Sequence, residues 1–308
     1  MPIRVLTSAV TLVGAMGLSI LPLGCSSQGS EEAALGTHVD AIVGNGRAYS
    51  PVVVRQIVQA TGSFPSMTNV TSETDAGSNN FTVQLNTNRF DTSVCAGMGP
   101  NCKGWQQFVF SNAIHAIWLE EYLLNSGYPT FPCPAAFEHH STTDGYCRHV
   151  SSSGSNRTIP GIDITELTSV SLVASASPSG DEMQLTTPDG VYTASETSVL
   201  DLANSQWNSV EFNVFGSGAR SRAAFNDDGA TLGVGVSLVL DDDSQAEPAC
   251  QIEGGTTGET NNLTLVSGSC CPAGGPPRIT FLESNDAAVR APYCPLTNNV
   301  AEMVAAFL

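Results

Sequence analysis

From Phe81 to Leu282 the chain repeatedly alternates apolar and polar residues with a period of two, the pattern of strands buried on one face. In 81–88, Phe81, Val83 and Leu85 share one face while Thr82, Gln84 and Asn86 share the other. Stretches of strand length recur at 104–111, 114–124, 167–175, 183–187, 191–195, 210–215, 230–240, 263–266 and 279–282. Between them stand Ser179-Gly180, Asp189-Gly190 and Asp228-Gly229, each placed to close a hairpin. About ten strands at this spacing predict an all-β fold, an antiparallel β-sandwich of two large sheets. Pro51–Ala60 suits a short helix or a strand equally, and Asn298–Leu308 suits a terminal helix. The stretch 125–160, with two cysteines, three histidines and a Ser/Gly run, reads as one long stapled loop.

The first 24 residues have a different pattern. One positive charge at Arg4 precedes an apolar stretch that ends at Leu21-Pro22-Leu23-Gly24-Cys25. This resembles a bacterial lipoprotein signal, in which the cysteine is acylated and becomes the mature N-terminus. Residues 1–24 are therefore expected to be a signal peptide and 25–40 a polar tether, with 41–308 forming a single sandwich domain. The expected location is the cell envelope, periplasm or cell surface, with the membrane reached only through the lipid.

Nine cysteines is an odd number for an exported chain. Assigning Cys25 to the lipid leaves Cys95, Cys102, Cys133, Cys147, Cys250, Cys270, Cys271 and Cys294, enough for four disulfides and stapled loops. Cys95–Cys102 and Cys133–Cys147 are the local candidates. Composition narrows the partners. The net charge is −18 and Lys103 is the one lysine, so the basic clusters that bind nucleic acid are missing. A monomer is expected. The few Lys, Arg and His also limit positive self-repulsion once the carboxylates are protonated, which favours acid tolerance.

Candidate chemistry is sparse. There is no Gly-x-Ser-x-Gly elbow, and each cysteine has a structural use. Glu138-His139-His140 with Asp144 and His149 carries metal-capable groups, but adjacent histidines point apart on regular backbone. Asp241-Asp242-Asp243 reads as a charged turn. No metal and no cofactor are expected. The strands are more informative. Val210, Phe212 and Val214 form a core face, so Glu211 turns the other way, a mid-strand carboxylate in a chain with only 13% charged residues. With Phe108 and Phe110 as the core face of 104–111, Trp105, Gln107 and Val109 face outward. If these strands are neighbours, a carboxylate, carboxamides and aromatic rings share one surface.

Three of these segments resemble those of the glutamic peptidases (eqolisins). Val210-Glu211-Phe212-Asn213-Val214 is similar to the family's Ala-Glu-Trp strand. Trp118-Leu119-Glu120-Glu121-Tyr122 is similar to its Trp/Tyr-Glu-Trp strand, and Val83-Gln84-Leu85-Asn86 to the strand that carries an acidic residue, Asn86 here. The resemblance implies a concanavalin A-like sandwich and an acid-acting endopeptidase, with Glu211 as general base and Gln107 as its catalytic partner; Gln106 competes for that place. It also implies that Trp105, Gln106, Gln84, Asn86, Glu120 and Trp118 line the substrate site, the substrate being a protein. The alternatives are a lectin-like protein that holds polysaccharide through Trp105, Trp118, Trp207, Asn86 and Gln84, and a structural surface lipoprotein.

The signal-like junction gives the first testable outcome. Intact-mass analysis of the purified mature protein should find an N-terminus at acylated Cys25; a free N-terminus elsewhere, with Cys25 removed, would refute the assignment.

Overall fold

Inward apolar side chains at alternate positions need a second surface to bury them, and two large antiparallel sheets supply it. The computed structural model describes residues 47–52, 55–75, 77–125, 132–141, 146–151, 159–218, 221–241, 249–254, 259–270 and 278–286. The signal segment, the tether, Asp144, Asp242, Asp243, Cys271, Cys294 and 298–308 lie outside them.

One sheet has seven strands. In spatial order they are β11 (Gly190–Glu196), β10 (Gly180–Thr187), β9 (Ser171–Ser177), β2 (Ile57–Thr68), β14 (Thr231–Leu240), β18 (Arg278–Ser284) and β17 (Thr264–Cys270). The other has six: β12 (Val210–Gly216), β4 (Phe81–Thr87), β5 (Cys102–Ser111), β6 (Ala116–Asn125), β8 (Tyr146–Val150) and β7 (Glu138–Ser141). Two small sheets flank them. β1 (Arg47–Val52) pairs with β15 (Ala249–Gly254), and β13 (Arg222–Phe225) lies between β16 (Thr260–Asn261) and β3 (Glu73–Thr74).

The six-stranded sheet faces the other through a continuous apolar row. Phe212, Leu85, Phe108 and Leu119 are register partners across β12, β4, β5 and β6, and all four are fully buried. Phe64 of β2 meets Phe212 from the opposite sheet with ring centroids 5.0 Å apart. Burying a side chain of this size contributes roughly 1.5–3 kcal/mol. The close approach depends on Gly62, where an added Cβ would lie 2.2 Å from the Phe212 ring.

Several sequence expectations change. The ambiguous stretch 51–60 splits: β1 ends at Val52, and Ile57 opens β2, the longest strand at 12 residues. The 125–160 loop instead contributes β8 and β7, which extend the six-stranded sheet. Leu167 belongs to a 3-10 turn, Ile164–Ser169, whose N-cap Asp163 and Glu166 form a capping box, so β9 starts only at Ser171. Asp228-Gly229 does not close a hairpin, because β13 and β14 belong to different sheets; Ser179-Gly180 and Asp189-Gly190 do close theirs. Cys95–Cys102 and Cys133–Cys147 are disulfide-bonded, stapling the 3-10 turn Ser93–Cys95 to β5 and the connection before β7 to β8.

The interior also holds acids. Burial pushes Glu73 and Glu283 up to about 7. Burial and the neighbouring Glu196 push Glu121 up to about 8, and burial raises Glu196 to about 7 and Asp181 to about 6. Each of these acids holds its proton more tightly folded than unfolded. As pH rises above the ordinary values of 3.8 for Asp and 4.5 for Glu, the unfolded chain therefore deprotonates first.

Two outcomes follow from this packing. Measured in the presence of chelator, the melting temperature should be highest near or below about pH 4.5 and decline steadily to about pH 8, the sign set by raised folded-state values. A melting temperature that rises over this interval would contradict the assignment. Gly62→Ala should destabilise the fold by roughly 1–3 kcal/mol in urea titration, since Phe212 must shift to admit the methyl.

Candidate active site

Register decides which side chains meet. Glu211, Asn86, Gln107 and Glu120 are direct cross-strand partners on β12, β4, β5 and β6, so they stand in one row on the face turned away from the seven-stranded sheet. Asn213, Gln84, Val109 and Trp118 form the next row on that face, and Trp105, Tyr122 and Arg148 a third. Strands are spaced by about 4.8 Å, so the backbones at Glu211 and Gln107 lie roughly 10 Å apart with Asn86 between them.

The first row is wired by hydrogen bonds. Asn86 donates Nδ2 to Glu211 Oε2 at 3.1 Å. Gln107 donates Nε2 to Asn86 Oδ1 at 3.1 Å and to Gln84 Oε1 at 2.9 Å. Gln84 in turn donates to Thr82 Oγ1 at 2.8 Å and to Glu259 Oε2. Where an aspartate would present Glu211 with another acceptor, Asn86 presents a donor. At the far end of the row Glu120 accepts from Trp118 Nε1 at 3.2 Å and pairs with Arg148 Nε.

Glu259 and Arg148 are two partners that sequence reasoning missed. Glu259 lies just before β16 in a polar stretch with no alternation, and Arg148 in the segment read as a loop, so no local pattern pointed to either. Burial, and then the charges of Glu120 and Glu211, push Glu259 up to about 7. Three carboxylates thus surround a site whose Glu211 and Gln107 are only 2% and 5% exposed.

The remaining sequence candidates separate. Gln106 faces the opposite way from Gln107, fully buried between the sheets as the register partner of Glu121, so it cannot line the row. Trp105 shares the face of Gln107 but is buried, donating Nε1 to the Thr87 carbonyl at 3.0 Å and packing against Tyr122. Trp207 lies in the core against Phe108, its Nε1 bonded to the Ser209 carbonyl at 3.1 Å. Neither indole offers an open platform. Trp118 is half-buried beside Glu120.

A carboxylate, a primary amide whose two donors point at neutral carboxamide oxygens and a second carboxyl of raised pKa make up the parts of a hydrolytic site that needs no covalent intermediate.

No family model matches the chain, and no curated protein matches it. Among solved structures it is similar to the crystal structure of Scytalido-glutamic peptidase with a peptide based transition state analog, at 13% identity and a TM-score of 0.31, over 78% of this chain and 98% of that one.

Proposed function

We propose that this protein is an acid-acting endopeptidase, exported and anchored through Cys25, that uses Glu211 and Gln107. The observation that carries the reading is the single row in which Glu211, Asn86 and Gln107 stand as successive register partners on one face. Glu211 takes a proton from a water held above Asn86, and that water adds to the peptide carbonyl. Gln107 Nε2 turns the hydrogen it gives to Gln84 Oε1 toward the oxygen on which negative charge develops, while its second hydrogen stays on Asn86 Oδ1 and fixes the orientation of the amide. Glu259, protonated below about 7, supplies the proton that the departing amine needs. As the tetrahedral intermediate collapses, the C–N bond breaks and the new carboxyl keeps the water oxygen. Peptide binding displaces Glu259 from Gln84, opening the row to substrate and freeing the acid for its role.

The experiment is digestion of a denatured protein from about pH 3 to about pH 8, comparing wild type with Glu211→Gln, Gln107→Ala and Glu259→Gln. Glu211→Gln and Gln107→Ala should each lower kcat by roughly 10²-fold or more, with little further loss in the double variant. Wild-type activity should fall as pH rises through about 7, where Glu259 releases its proton, and Glu259→Gln should lower kcat and flatten that limb. Cleavage by Glu211→Gln at the wild-type rate, or no cleavage by wild type at any pH, overturns the reading.

A further inference from the structure

On the reverse side of the six-stranded sheet, between the two sheets, lies a second polar cluster that the proposed peptidase chemistry does not use. Glu121 of β6 and His149 of β8 are register partners on the inner face. Glu196 of β11 meets them from the seven-stranded sheet, His149 Nε2 lying 3.3 Å from Glu196 Oε2. One ligand atom from each of the three lies within 4.8 Å of the others. Asp181 of β10, the register partner of Glu196, adds a third carboxylate from the same side and is also buried.

The side chains are held as ligands are held. His149 Nδ1 bonds the Ala136 carbonyl at 2.7 Å, which assigns the proton to Nδ1 and leaves the Nε2 lone pair facing the carboxylates. Glu121 Oε1 accepts the Val199 and Leu200 amides at 3.1 and 3.2 Å, orienting the carboxylate. Its other oxygen, Oε2, is in a fully buried side chain and has no hydrogen-bond partner among the described residues. The same holds for Glu196 Oε1, while Gln106, the fully buried cross-strand neighbour of Glu121, is turned to Asp181. The contact of His149 with Glu196 Oε2 leaves both Glu196 Oε1 and Glu121 Oε2 without a partner among the described residues. Buried carboxylates without partners are costly unless they are neutralised, and a cation does this for all of them at once.

We propose that Glu121, His149 and Glu196 bind one divalent metal ion of the zinc type, with Asp181 beside it, joining the two sheets. One imidazole and two carboxylates suit zinc or manganese better than calcium, which takes oxygen ligands alone. The His149 side chain is 25% exposed, giving the ion a route from solvent. Because Glu120 and Glu121 are consecutive, the ion would also fix the segment of β6 whose other face carries the end of the candidate catalytic row.

The test uses the full purified chain and no substrate, so it stands apart from the peptidase reading. After stripping with chelator and reloading with zinc at about pH 7, elemental analysis should find about one zinc per chain, with a melting temperature several degrees above the stripped protein. His149→Gln and Glu196→Gln should each weaken zinc binding by at least about 100-fold and remove the melting shift, while Glu211→Gln keeps both. Cobalt in place of zinc should give a visible absorption band in wild type that is lost in His149→Gln, a readout that does not depend on stability. No retained zinc with an unchanged melting temperature, or zinc retention and a melting shift that both ligand variants keep, overturns the proposal.

Discussion

The apolar row Phe212–Leu85–Phe108–Leu119 pins the six-stranded sheet against Phe64 of its partner, and the remaining geometry of that sheet depends on this contact. Side chains alternate strictly along a strand, so seating these four inward forces Glu211, Asn86, Gln107 and Glu120 outward at one level. A slip of one residue in any of these strands would bury a carboxylate or amide in the core and expose a Phe or Leu. Both changes oppose the slip, so the register is held from two sides. Gly62 is the local condition for this arrangement, because the Phe212 ring occupies the volume a side chain there would need.

The same alternation explains why the chain, poor in charge, keeps so many acids inside. Glu120 and Glu121 are consecutive, so β6 sends one carboxylate to each face. Glu120 is offset by Arg148 and joins the outer row, while Glu121 enters the space between the sheets with His149, Glu196 and Asp181. Burial and like charge raise Glu121, Glu196 and Asp181, and burial raises Glu73 and Glu283. An interior of this kind favours the folded state at acid pH, the same range in which Glu259 keeps its proton.

The outer row is a network rather than a set of separate groups. From Glu211 through Asn86, Gln107 and Gln84 to Glu259, Asn86 and Gln84 each donate and accept while Gln107 donates twice, which leaves little rotational freedom to any of them. Carboxamides suit this role because they keep one end for donation and the other for acceptance without adding charge beside a carboxylate.

By itself the sequence determined the two-sided strands, the antiparallel sandwich and the outward turn of Glu211 and Gln107, and it offered the two short-range disulfides as candidates that the structure then paired. These are local properties: a period of two and turn glycines specify the strands and their faces, and cysteines close along the chain suggest the pairs, without reference to distant residues. The sequence left Gln106 in competition with Gln107, and only pairing with β4 and β6 set Gln107 beside Asn86 and Gln106 opposite Glu121. Only the tertiary structure recruited Arg148 and Glu259, drew β8 and the edge strand β7 out of the stretch 125–160, and buried Trp105 and Trp207. It alone brought Glu196 to His149 across 47 residues. Such contacts depend on which strands become neighbours and which sheets face each other. That choice is made by the burial of the whole apolar surface at once, so no single segment carries a signal for it.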